Sequence, residues 1–131
     1  MVQGFRQEPD VNVSKQRHKE YDRYGRDRRS RAFYNSSAWE HARSEALSAD
    51  EGLDVYLYMT EGIVVLADTV HHIIPLQDEW EKRNDISNLM SLSGETHSMI
   101  EQMYKKDKDG MEKKLHEMLL RYRSMVRGGA V

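Results

Sequence analysis

Cysteine is absent from the 131 residues, which removes disulfides, thiolate catalysis, cysteine zinc knuckles and iron–sulfur clusters together. Any metal must be held by His, Asp and Glu. Long apolar runs are missing too. The longest, Ile63 to Ala67, falls far short of the ~20 residues that a membrane span requires, which excludes an integral membrane protein. No basic-then-apolar segment at the N-terminus resembles a signal peptide, so secretion is not expected. Apolar residues are scarce at 38%, and charged residues reach 32%. The length suits one domain with an appended arm or tail, and one modest core without staples.

The net charge of −2 hides a segregation. Lys15 to Arg31 holds eight basic residues against three acidic, and Lys105 to Arg127 holds eight against four. Between them, Ala32 to Tyr104 carries Arg43, Lys82 and Arg83 against 13 carboxylates. Basic flanks suit a polyanion, and a carboxylate-rich middle tolerates a divalent cation. On charge alone, a solvated surface is the simpler account.

Residues 1–14 are polar and aperiodic, a disordered lead. The segment Lys15–Arg31, with Tyr21 and Tyr24 between its arginines, is a mobile arm or a helix formed on a partner. Ser37 and Glu40 have the spacing of a capping box, and Trp39, Ala42, Arg43, Ala46 and Leu47 predict a helix near 38–48. Leu53, Val55, Leu57 and Met59 alternate with Asp54, Tyr56 and Tyr58, the period of a strand. With the turn Thr60-Glu61-Gly62 and the extended run Ile63–Leu66, this predicts a hairpin. Val70 to Ile74 is extended and stops at Pro75. Residues 77–88 are loop-like, and Leu89–Leu92 is a short strand. Ser93-Gly94 opens a helix carrying His97, Ile100, Glu101 and Tyr104. A last helix spans about 110–126, boxed by Asp109 and Glu112, with Met111, Leu115, Met118, Leu119, Tyr122 and Met125 as its apolar stripe.

Three of the six histidines fall between positions 71 and 97. A lone His near an apolar run is usually structural, but an adjacent pair beside a strand is harder to dismiss. Neighbours on a strand point to opposite faces, so His71 and His72 cannot chelate one ion as equals. They can divide labour, one as ligand and the other as base, because neutral imidazole suits both tasks.

The ordered set His71-His72-Ile73-Ile74-Pro75, Asn88-Leu89 and His97 resembles the HNH (ββα-metal) endonucleases, whose pattern is a histidine pair, an apolar dipeptide and proline, then Asn-Leu, then a His on a helix. Phe33-Tyr34-Asn35-Ser36-Ser37-Ala38-Trp39 is similar to the segment preceding the core in small phage members. The resemblance covers about residues 33–105. It implies an α+β fold: a ββα-metal core with a β-hairpin, flanked by an upstream helix and a C-terminal helix. The chain then divides into a basic, largely flexible arm (1–31) and a nuclease domain (32–127).

Carried onto this chain, the family implies His72 as general base and His71 and His97 as metal ligands. Asn88 would tie the intervening loop and orient the base. Glu101, one turn after His97, is a candidate third ligand, with an exposed surface carboxylate as the favoured alternative. Asp68 lies outside the pattern and is not assigned. The implied cofactor is one divalent metal, Mg²⁺ or Mn²⁺, with Zn²⁺ or Ni²⁺ also able to bind. The implied partner is double-stranded DNA, gripped at phosphates by the arm with Arg26, Arg28, Arg29 and Arg31, and by the C-terminal flank. Small phage relatives also imply the terminase large subunit as partner and the host cytoplasm as location; monomer and dimer both remain open. Many relatives carry two Cys-x-x-Cys pairs for a structural zinc. Here those places read Tyr58-Met59-Thr60-Glu61 and Ser93-Gly94-Glu95-Thr96, so no structural zinc is expected, and packing of Trp39, Leu57, Met59 and the terminal helix must replace it. The competing classes are an RNase or toxin on the same scaffold and a non-catalytic nucleic-acid-binding module.

Overall fold

The computed structural model describes residues 11–129, with side chains from 23 to 127. The disorder expected for residues 1–10 lies outside the described residues. The chain divides between Asn35 and Ser36 into two units. The first holds one helix, α1 (Val11–Tyr34), which begins with residues 11–14, expected to be disordered. Its last turn carries Arg31, whose charge complements the negative helix end. Arg28 lies over the Tyr24 ring at 5.5 Å, and Phe33 tilts against Tyr34 at 5.1 Å.

The second unit opens with α2 (Ser37–Ala49). The helix stands where its periodicity placed it, but the cap is one residue earlier: Ser36 Oγ accepts from Trp39 N at 3.1 Å. Trp39, Ala42 and Ala46 form its buried stripe.

The hairpin expected over 53–66 is not there. Val55–Glu61 is a helix, α3, started by Asp54, whose Oδ1 accepts from Leu57 N at 2.9 Å. It stops at Gly62, which takes the left-handed conformation at φ 69°. An Asp cap and a closing glycine outweigh an alternating pattern this short. The run after it stays extended but joins the fold through the single bridge Leu53–Leu66, leaving Ile63, Val64 and Leu66 exposed.

The hairpin that does form is β1 (Thr69–His72) with β2 (Leu89–Leu92), antiparallel, pairing His71 with Met90 and His72 with Leu89. Residues 73–88 link them, with short 3₁₀ turns at Trp80–Lys82 and Ile86–Asn88. The outer edge of β2 meets side chains rather than a third strand. Ser91 N donates to Asp50 Oδ2 at 3.0 Å, Ser93 N donates to Asp54 Oδ2 at 2.9 Å, and Leu89 O accepts from Arg123 at 2.7 Å. Asp50 and Asp54 are fully buried. Asp54 thus caps α3 and binds the start of the next helix with one carboxylate.

Ser93 caps α4 (Gly94–Lys106), and α5 (Lys108–Gly129) follows at once. The α5 start differs from the expected Asp109–Glu112 box: Asp107 Oδ1 accepts from Gly110 N at 3.0 Å. Met111, Leu115, Met118, Leu119 and Tyr122 of α5 pack with Val55, Ile73, Met90, Leu92 and Ile100 in one core. Met125, expected in that stripe, is exposed. Leu57 and Met59 pack on the core, whereas Trp39 lies against His72.

Candidate active site

The order β1, linking loop, β2, α4 brings the histidine pair beside the helix that carries His97. On β1 the pair points two ways, as strand geometry requires. His71 faces α4: its ring lies 5.1 Å from the His97 ring and 5.3 Å from the Tyr104 ring, perpendicular to the latter. Its Nε2 is 3.1 Å from the Tyr104 hydroxyl, which donates to Ile73 O at 2.6 Å. Burial, then the nearby His97 and His72, pushes the His71 pKa down to about 3. At neutral pH this imidazole is therefore uncharged, the form that binds metal. Burial raises the Tyr104 phenol well above its ordinary range, so it keeps its proton.

His72 turns to the other side and stacks on Trp39, with ring centroids 5.1 Å apart and planes at 23°. Its Nε2 lies 3.0 Å from Arg83 O. A carbonyl can only accept, so Nε2 carries the hydrogen and Nδ1 carries the lone pair. Burial lowers the His72 pKa, and the Arg83 bond opposes part of that shift. The result is an imidazole held in one orientation.

Asn88 clasps the loop that follows the pair. Its Oδ1 accepts from Ile74 N at 2.8 Å, its Nδ2 donates to Ile74 O at 3.1 Å, and its own carbonyl accepts from Ile73 N at 2.9 Å. Arg123 braces the same turn from α5, donating to Ile86 O at 2.7 Å and Leu89 O at 2.7 Å on either side of Asn88. Arg123 is itself held by Asp50 Oδ1 at 2.8 Å.

Glu101 stands one turn beyond His97, its Oε2 3.6 Å from His97 Nε2. That is too long for a hydrogen bond and short enough for both atoms to touch one ion with ligand bonds of about 2.0–2.2 Å. Among the described residues, no three His, Asp or Glu side chains gather around one point. The approaches are pairwise, His71 to His97 and His97 to Glu101. Two imidazoles, one of them held neutral by burial, with a carboxylate beside the second, suit a divalent cation as a donor set. Arg26, Arg28, Arg29 and Arg31 lie exposed on α1, in the other unit.

Four supporting residues escaped sequence reasoning: Tyr104 as a partner of His71, Asp50, Asp54 and Arg123. Only Tyr104 left a readable signal. It follows His97 by seven residues, two turns along the same helix face.

The family model described as HNH endonuclease matches residues 60–100. A solved structure, the HNH endonuclease of the deep-sea thermophilic bacteriophage GVE2 with manganese ion, is 38% identical, with a TM-score of 0.62. The alignment covers 67% of this chain and 95% of that one. No curated protein matches. With a histidine pair on the first strand of a ββα unit, an asparagine clasp before the second and a histidine on the helix, this chain belongs to the HNH endonuclease family.

Proposed function

We propose that the chain is a divalent-metal-dependent endonuclease that hydrolyses phosphodiester bonds of double-stranded DNA. The observation that carries this is the division of the histidine pair: His71 sits 5.1 Å from His97, while His72, on the opposite face, carries its basic lone pair on Nδ1.

His71 and His97 would hold the cation, with Glu101 the carboxylate in reach of it. Mn²⁺ and Mg²⁺ are the proposed ions, and the bacteriophage relative was solved with manganese. When bound, the cation neutralises charge on the phosphate and on the leaving oxygen. The chain does the rest. His72 Nδ1 takes the proton of the attacking water, a contribution of ~10²–10⁴-fold. The Arg83 carbonyl and the Trp39 face hold that imidazole in one orientation. Asn88 fixes the loop behind it. The arginines of α1 and the basic residues of α5 would bind phosphates, a contribution that weakens with added salt. The terminase large subunit is the protein partner that small phage relatives suggest, and co-purification of the two chains checks it.

Plasmid cleavage tests the proposal. Wild type should nick or cut supercoiled DNA with Mn²⁺ or Mg²⁺ and not with EDTA. His72→Ala should lose at least about 100-fold in rate while retaining Mn²⁺ binding by calorimetry. Full nicking by His72→Ala would overturn the base assignment, and cleavage confined to structured RNA would overturn the substrate.

A further inference from the structure

Tyr104 has one hydroxyl hydrogen, and its neighbours decide where that hydrogen goes. The hydroxyl oxygen lies 2.6 Å from Ile73 O, an acceptor with nothing to donate. The hydrogen is therefore committed to Ile73. The same oxygen lies 3.1 Å from His71 Nε2, and this second bond can form only if the imidazole donates. His71 is thus the Nε2–H tautomer, and its remaining lone pair is on Nδ1. Among the described residues, the Tyr104 hydroxyl is the one hydrogen-bond partner of the His71 ring.

The placement of Tyr104 gives this bond leverage. It belongs to α4, the helix that presents His97, and it binds the carbonyl two residues beyond His71 on the strand side. Its ring stands perpendicular to the His71 ring at 5.3 Å, so rotation of the imidazole is opposed as well. We propose that Tyr104 is a positioning residue that holds His71 in the Nε2–H tautomer and makes Nδ1 its metal-ligating atom. This rests on the two-imidazole metal site proposed above. Histidine ligands commonly donate their second ring N–H to an oxygen, and here a phenol, anchored by a backbone carbonyl, fills that place.

The test uses the full chain and Tyr104→Phe, which keeps the ring and removes the hydroxyl. In metal-free wild type, ¹⁵N spectra of the imidazoles should show His71 protonated at Nε2 and bare at Nδ1. In Tyr104→Phe the His71 signals should move towards a mixture of tautomers, and Mn²⁺ affinity by calorimetry should fall about 10-fold. A residue that merely packed against Ile73 would leave the tautomer unchanged. A wild-type His71 protonated at Nδ1 overturns the inference without recourse to any variant, as does a Tyr104→Phe protein with unaltered tautomer and affinity. His71→Ala separates the two layers. If it binds Mn²⁺ as tightly as wild type, the two-imidazole site is wrong. If it loses Mn²⁺ while Tyr104→Phe matches wild type, that site stands and the role of Tyr104 falls.

Discussion

His71 is a titratable group placed where it does not titrate. Its folded pKa is about 3, against about 6.5 in the unfolded chain. Between those values the unfolded chain takes up a proton that the folded one refuses, so stability falls as pH drops. The contribution is intact above pH 6.5 and is lost progressively towards pH 3. The groups facing His71 are His97 and Tyr104 of α4 and His72 beside it on β1; Glu101 reaches His97 and not His71. At roughly 1.4 kcal/mol per pH unit, metal-free protein should lose about 2 kcal/mol between pH 6.5 and 5. Urea unfolding in chelator measures this, and His71→Gln should flatten the slope; equal slopes would contradict the burial argument. Asn88→Asp acts at the same scale. A carboxylate still accepts from Ile74 N but cannot donate to Ile74 O, and it sets charge against that carbonyl. The variant should stay folded, lose about 1–3 kcal/mol, and nick plasmid far more slowly. Wild-type nicking would remove Asn88 from the mechanism.

At the scale of elements, a two-stranded sheet is marginal unless its open edge is satisfied. Here Asp50, Asp54 and Arg123 bond along the outer edge of β2 and just beyond it, and Asp50 is fully buried while its partner Arg123 is only partly so. Breaking such a pair leaves an uncompensated charge, so Arg123→Met should cost roughly 3–5 kcal/mol. It should also release the turn before Asn88, lowering activity more than stability alone explains at temperatures where the variant stays folded. Denaturant midpoints and cleavage rates on one preparation test both parts. A loss under about 1 kcal/mol would place the pair among weak surface ion pairs. Asp50 and Asp54 were hidden in the sequence because they looked like turn and strand residues. The helix that Asp54 caps and Gly62 ends runs through residues whose apolar alternation has the period of a strand.

At the scale of the whole molecule, the proposed division of tasks follows the charge segregation. Arg26, Arg28, Arg29 and Arg31 are exposed on α1, and the imidazoles lie in the unit that begins at Ser36. Replacing all four arginines with Gln should weaken DNA binding without altering Mn²⁺ affinity. The slope of log K against log salt should drop by about 0.9 for each phosphate that is no longer neutralised. An unchanged slope would mean that α1 does not touch the backbone. Among the described residues no helix is long and apolar enough to cross a membrane.

Residue identity and order alone determined the chemical inventory. They specified that no thiol is available, that imidazoles come as an adjacent pair and a distant third, and that an asparagine stands between them. They also determined α2, β1, β2, α4 and most of α5, because those elements carry their own caps, extended apolar runs or periodicity. Tertiary structure decided the rest. The bonds that orient His71, satisfy β2 and brace Asn88 join residues 31 to 73 positions apart. Local pattern has no access to contacts of that range. They exist because packing α4 and α5 over the hairpin buries polar groups that must then find partners.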